Sequence, residues 1–244
     1  MRQETIKDLA DYVRQTEVFS LLADLVLLRG QPVSGRLLPA IARAQPAKDT
    51  RAVEKKLLEQ FSLMGTALIG VPDPTMLDLM VLAQHFGLKT RLLDWTSNPL
   101  TALWFACANS ERGDVFVYAL EADDLQVSGV YDHDPFEQKH TRVFQSRLNN
   151  PRVIAQHGWF TLHRFSQRAG NFVALESNPD IKGNLTEYRI AEANRTEILN
   201  SLDRHGINRR TLFPDLGGLC SHLNWKFGLD HCNTLNTASD PSDT

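Results

Sequence analysis

QHFGLKTRLLDWTSNPLTALWFA, the run from Gln84 to Ala106, packs a helix end, a short strand and a helix start into one stretch. Gly87 stops a helix that the Pro72-Asp73-Pro74 turn opens and that runs from Thr75 to Phe86. Leu88 to Trp95 reads as extended, and Asn98-Pro99 then opens a helix with Leu100, Leu103, Trp104 and Cys107 on one face. Proline in a first helical turn removes no internal hydrogen bond, so Pro99 fits that start.

Upstream, Ile6, Leu9 and Val13 have helical spacing over Ile6 to Arg14, and Leu25 to Leu28 reads as a buried strand ending at Arg29-Gly30. The polar segment Gln31 to Arg36 leaves that strand. From Thr50 to Leu68 the residues Val53, Leu57, Phe61, Met64 and Leu68 recur every three or four positions, which predicts a long amphipathic helix with this stripe inward. Downstream, GDVFVYAL (Gly113 to Leu120) is the strongest strand signal in the chain. Tyr131 to Asn150 shows no period and reads as a long loop. Arg152 to Ala155 and Trp159 to Arg164 read as strand pieces broken at Gly158, and Tyr188 to Ala191 as another strand. Helices are expected at Glu192 to His205 and Leu216 to Phe227, the latter with Trp225 and Phe227 in the core, separated by a turn at Arg209 to Phe213. Glu187, Arg189 and Glu192 read as solvated charges.

These elements predict an α+β fold, a small mixed or antiparallel sheet with packed helices, as a single domain over residues 1–232. The Ser, Thr, Asp and Pro-rich end, residues 233–244, is expected to be disordered. The chain has 244 residues and a formal net charge of −3 with its basic residues scattered, which argues against a broad nucleic-acid footprint and leaves room for a local basic groove. Cys107, Cys220 and Cys232 form no CxxC pair, the start MRQETIKDLADYVRQ lacks an apolar leader core, and no apolar run approaches membrane-spanning length. A cytoplasmic protein with no membrane partner is the expectation; the oligomeric state is left open.

Arg29 stands at the end of a buried strand with Gly30 behind it and Gln31 after it, and its planar fork suits a phosphate or carboxylate. A structural ion pair would need the same residue. In the central block, Leu92, Leu93 and Trp95 alternate with polar groups, so His85, Arg91 and Asp94 should be paired with one another or with a ligand. Thr96 and Ser97 are placed either to line a site or to cap the helix at Leu100 or Thr101. His85, His157 and His163 lack the tight spacing of metal ligands, and no metal is expected.

Arg29-Gly30-Gln31, Leu37 to Pro39, the Glu54 to Phe61 pattern, the central block and the late TLFPDLGGL (Thr211 to Leu219) together resemble the FRG domain family of bacteria and their viruses, from about Leu27 to Leu223. Leu28 replaces that family's usual aromatic, and Phe86 and Lys89 are further departures. A more remote resemblance is to ADP-ribosyltransferases of the Arg-Ser-Glu type, through Arg29-Gly30, Trp95-Thr96-Ser97 with Ala102 to Ala106, and the strand Gly113 to Leu120. That resemblance implies an NAD-using transferase acting on a protein or nucleic-acid target as an effector or defence toxin. Arg29 would hold the pyrophosphate or ribose of NAD, with Ser97 or Thr96 orienting the nicotinamide ribose. Order along the chain brings Gln156 to the place of the expected catalytic glutamate. Asp94 must then supply the negative charge, or the site is a non-catalytic nucleotide- or phosphate-binding or interaction module.

Overall fold

A computed structural model describes residues 1–21, 23–108, 112–126, 128–147 and 150–229, with the side chain of Ser20 excepted. In chain order the elements are β1 (Arg2–Ile6), α1 (Leu9–Ser20), β2 (Val26–Gln31), α2 (Arg51–Met64), α3 (Thr66–Ile69), α4 (Met76–His85), β3 (Leu92–Thr96), α5 (Pro99–Ala108) and β4 (Val115–Glu121). Then follow β5 (Arg142–Gln145), α6 (Pro151–Ala155), β6 (Gly158–Leu162), β7 (Phe165–Ser166), β8 (Asn171–Phe172), β9 (Leu185–Ile190), α7 (Glu192–Arg204), α8 (Arg209–Leu212) and α9 (Leu216–Lys226). The architecture is α+β: a seven-stranded mixed sheet in the order β1-β9-β4-β2-β3-β6-β5, with a two-stranded ribbon of β7 and β8. The β1–β9 pair is parallel and the other neighbours are antiparallel.

Alternation along each strand divides the apolar residues between two faces. On one face Leu28, Val115, Val117, Ala119, Tyr188 and Ile190 pack with α1, α5 and α7, and Leu92, Phe144, Phe160 and Leu162 pack with α2 and α4. On the other, Leu27, Leu93, Trp95, Tyr118 and Leu120 are covered by Leu37, Leu175 and Ile181 from the irregular segments. Arg29 and Gln31 share this second face with Leu27 by the same alternation. Gly30 points to the first face, where an added Cβ would stand 1.9 Å from the Ala102 carbonyl oxygen and 2.4 Å from the Ala106 nitrogen. Only glycine lets α5 lie this close to β2.

Several expectations are corrected. Arg152 to Ala155 is helical, because Pro151 sits in a first turn and the Asn150 side chain accepts from the Arg152 N–H. Tyr131 to Asn150 contains β5, which adds to the sheet edge, and Arg209–Leu212 is a helical turn opened by an Asn208 capping box. The Ile6 to Arg14 expectation divides into strand β1 and helix α1, which Asp8 caps. Asn98, not Thr96 or Ser97, caps α5, its Oδ1 accepting from the N–H groups of Leu100 and Thr101. Phe227 is exposed and Trp225 half-buried, so the end of α9 is not core. Residues 230–244, with the expected disordered tail, lie outside the described residues. Among the described residues no helix is long and apolar enough to cross a membrane.

Candidate functional site

The sheet is weakly joined at one seam. β2 pairs with β4 from Val26 to Gln31, and β3 pairs with β6 from Leu92 to Thr96, yet between β2 and β3 the register holds one pair, Leu28 with Thr96. Continuing that register would set Arg29 opposite Trp95 and Gly30 opposite Asp94. There the Asp94 carbonyl instead accepts from Arg29 Nη1 at 2.7 Å, and Asp94 Oδ2 lies 3.9 Å from the same nitrogen. The guanidinium therefore bridges the mouth of a gap where a strand ladder would otherwise continue. The Arg29 side chain is 15% exposed and Asp94's is 61% exposed, so the pair is a loose, half-open contact and not a sealed salt link.

Burial pushes Arg29 down to about 10, with Asp94 opposing the shift and Arg43 adding to it; the group remains cationic at neutral pH. Asp94 is steered by its neighbours: Gln84 Nε2 donates to its Oδ1 at 2.8 Å, and Thr90 Oγ1 donates to Gln84 Oε1. His85, next along α4, is held below the ordinary histidine range by burial and by Arg152, against the pull of Asp94. His85 and Arg152 thus belong to the same rim as Asp94. Arg152 was not assigned a role from the sequence, and Gln84 was read only as the head of the block that builds the cleft with Arg29; only the fold turns it onto Asp94.

Arg91 is elsewhere. It is enclosed on the Glu54 carboxylate, Nε to Oε2 at 2.9 Å and backbone N–H to Oε1 at 2.7 Å, with its guanidinium carbon 4.3 Å from the centre of the Phe136 ring. It locks α2 to the start of β3 and does not reach the gap. Gln31 is buried as well, donating to the carbonyls of Val33 and Gly35 and accepting from Arg29 Nε at 3.3 Å. Its work is to fold the following segment back over the sheet.

Thr96 and Ser97 mark the other side of the seam. Thr96 Oγ1 donates to the Gln156 carbonyl at 2.6 Å and accepts from the Asn98 N–H, and the exposed Ser97 donates its N–H to the His157 carbonyl. His157 has φ +49°, a left-handed residue at the tight entry to β6. Gln156 is thereby fixed beside Thr96 through its backbone, while its side chain turns away and donates to the Leu212 carbonyl at 3.0 Å. The Arg29 and Thr96 strands and the strand that follows Gln156 are direct neighbours in the sheet.

Behind the seam lies a polar row that the sequence did not announce. Register aligns Gln3, Glu187, Tyr118 and Arg29 across four strands, with Trp95, Trp159 and Gln145 continuing the line beyond the seam. Glu187, read from sequence as solvated, is buried: Tyr118 Oη, Ser34 Oγ and Gln3 Nε2 all donate to its carboxylate. Charge alone could not reveal that, because all three donors arrive from other strands or loops. Trp95 Nε1 donates to Thr161 Oγ1, which meets His163 Nε2 at 3.0 Å, so this row is hydrogen-bonded on both sides of Arg29.

A cavity of about 320 Å³ lies apart from the seam, lined by Lys55, Tyr131, His133 and Phe136 among others, and it includes none of the site residues expected from sequence. Lys55 there is already paired with Asp134 at 3.0 Å. Among the described residues no group of three His, Cys, Asp or Glu side chains is arranged to hold a metal ion.

No curated protein and no solved structure matches the chain. The FRG domain profile matches residues 25–115, a span that begins at β2, takes in the Arg91–Glu54 lock, the whole central block and α5, and ends as β4 starts. The chain carries an FRG domain.

Proposed function

We propose that this protein is an ADP-ribosyltransferase-like enzyme that uses NAD as substrate, acting on a protein or nucleic-acid target in an effector or defence role, with its cleft at the β2–β3 seam. The observation that carries the reading is Arg29: a half-buried guanidinium, held by the Asp94 carbonyl at 2.7 Å, by Gln31 Oε1 at 3.3 Å and by a carboxylate 3.9 Å away, at the point where two strands part. A phosphate can displace the distant carboxylate, and an arginine fork binds it with two parallel donors. Exposed Ser97 follows the neighbouring strand across the seam, where the resemblance assigns a hydroxyl that orients the nicotinamide ribose; Thr96 faces the side of the sheet opposite Arg29, with its hydroxyl bound to the Gln156 carbonyl.

In this reading the bond from ribose C1′ to the nicotinamide nitrogen breaks, the electron pair leaves with nicotinamide, and a target nucleophile adds to C1′ while losing its proton. Positive charge builds on the ribose, and Asp94, solvent-facing and oriented by Gln84, is the carboxylate available to stabilise it. The test is nicotinamide release from NAD with cell extract present. Arg29→Ala should abolish it in a folded protein, and Asp94→Asn should lower it about 100-fold. Release that is absent from the wild type, or unchanged in both variants, rejects the enzyme.

One observation favours a second reading, a non-catalytic nucleotide- or phosphate-binding module. The side chain of Gln156 is committed to Leu212, so the position expected to carry a carboxylate presents neither the charge nor a free amide. Calorimetry separates the two. A module binds NAD or ADP-ribose in an Arg29-dependent way without releasing nicotinamide, and affinity left untouched by Arg29→Lys rejects it.

A further inference from the structure

Acidic residues are missing from two long stretches of the chain. Leu25 to Lys48 and Gln138 to Leu175 contain no Asp or Glu, although the chain holds 29 acidic residues and an even spread would place several in each stretch. The fold brings parts of the two together. Leu175 N–H donates to the Leu37 carbonyl, Phe172 N–H to the Pro46 carbonyl and Gln167 Nε2 to Asp49, while Leu38 and Ala42 share a small core with Phe172. Residues 36–48 therefore lie along the β7–β8 ribbon, and Arg36, Arg43, Lys48, Arg164 and Arg168 belong to one strip of surface. Arg164 is half-buried and the other four are exposed. Among the described residues none of the five is in an ion pair. The two acids at the border of the strip, Asp49 and Glu176, are engaged by Gln167 and by the backbone N–H groups of Arg51, Arg36 and Leu37. Arg43 ties the strip to the seam. Its charge weighs on Arg29, and the Ile41 N–H, two residues earlier, bonds the carbonyl of Thr90, the residue that holds Gln84 on Asp94.

We propose that this strip binds the sugar-phosphate backbone of a nucleic-acid strand and leads it to the β2–β3 seam. Unpaired cations on a surface without competing carboxylates form the electrostatic footprint of a polyanion. Four of the five are arginines, whose planar fork meets a phosphate with two donors. The strip also lacks what a protein partner would use. The centre of a protein interface is apolar and aromatic, whereas no exposed large apolar side chain falls within residues 36–48 or 163–174. The exposed apolar residues are elsewhere: on α2 and α3, Val53, Leu57, Met64 and Leu68, expected from their spacing to face inward, are turned out because the Glu54 carboxylate is drawn to Arg91 and takes α2 with it. Under the reading of the seam given above, the macromolecular target is then a nucleic acid; that consequence rests on the reading, and the binding itself does not.

Fluorescence anisotropy of the full chain with labelled single strands of about 20 nucleotides, one DNA and one RNA, tests the binding without NAD. The wild type should bind at least one of them with a Kd of about 1 to 100 μM at about 50 mM salt, and log K should fall against log salt with a slope of about −2 to −3.5, the value for three to five phosphate contacts on a single strand. Lys48→Glu with Arg168→Glu should weaken binding at least about 10-fold and flatten the slope by about 1.4. The same change of net charge at exposed Lys7 and Lys226, away from the strip, should leave the affinity within about two-fold. Lys48 and Arg168 are exposed, so their variant should keep its fold by circular dichroism. A second measurement needs no variant: a bound strand should protect Lys48 from acetylation, read by mass spectrometry, and leave Lys7 reactive. Failure of both strands to bind at about 50 mM salt, equal weakening by the Lys7 and Lys226 pair, or a Lys48 as reactive with the strand as without it overturns the proposal. So does a polyglutamate peptide of the same charge that binds as tightly, which would make the partner an acidic protein.

Discussion

Arg91 and Glu54 are both about 1% exposed, and the pair carries more structural consequence than its place in a polar-looking loop suggests. An ion removed from water is tolerated only while its partner remains, so breaking the pair strands a charge. Glu54→Ala should lower unfolding free energy by about 3 to 5 kcal/mol, read from urea denaturation, and a cost near that of a surface change would show the pair to be unimportant. His163 makes a second residue-scale prediction. Burial, with repulsion from Arg29 and Arg91, pushes it down to about 3, so the folded chain refuses the proton that the unfolded chain takes up near pH 6.5. Stability from this source is complete above that pH and is lost as pH falls from about 6.5 towards 3, with a slope of up to about 1.4 kcal/mol per pH unit. His163→Gln should flatten this part of the profile in urea melts between about pH 7 and 5; an unchanged slope would assign it to other groups. At this scale the sequence was informative where chemistry is local. Arg29 beside Gly30, and Asp94 among Leu92, Leu93 and Trp95, signalled a constrained polar spot from their neighbours alone. Glu187 and the partner of Arg91 did not, because their hydrogen bonds come from 69 and 37 residues away along the chain.

Elements with strong period or clear punctuation were legible: α4, α5, α7 and β4 fall where the apolar spacing and their caps put them. β1 was not, since RQETI is polar and is a strand only because it adds to the edge of β9. The stripe of α2 misled for the opposite reason: a buried carboxylate outweighed an apolar face in deciding which way the helix turns. The contact of α5 with β2 gives the prediction proper to this scale. A Cβ at Gly30 would strike helix backbone, which cannot swing aside as a side chain can, so Gly30→Ala should cost about 3 kcal/mol or more. Thermal melting checks it, and a variant as stable as the parent would mean that the two elements are free to move apart.

Across the whole molecule, β1, β9, β4 and β2 form one continuous ladder and β3, β6 and β5 another, with the single Leu28–Thr96 pair between them. Hydrogen exchange should therefore resolve two protected blocks along the sheet, with the amides on either side of the seam beyond that pair exchanging faster than those on the β2–β4 and β3–β6 sides. Exchange at one common rate across all seven strands would mean that the helices, not the ladders, set the cooperative unit. The seam could not be read from sequence, since β2 and β3 each carry residues fit for a full set of partners, and only the register shows that they decline them.

That solitary rung makes Arg29 a spacer: its fork stands on the Asp94 carbonyl where neighbouring backbone would otherwise close the sheet. In the reading proposed above, an anion that draws the fork away removes the prop and occupies the vacancy in one movement. Occupancy and aperture are then a single variable, and the width between the two slabs reports directly on whether the arginine is engaged.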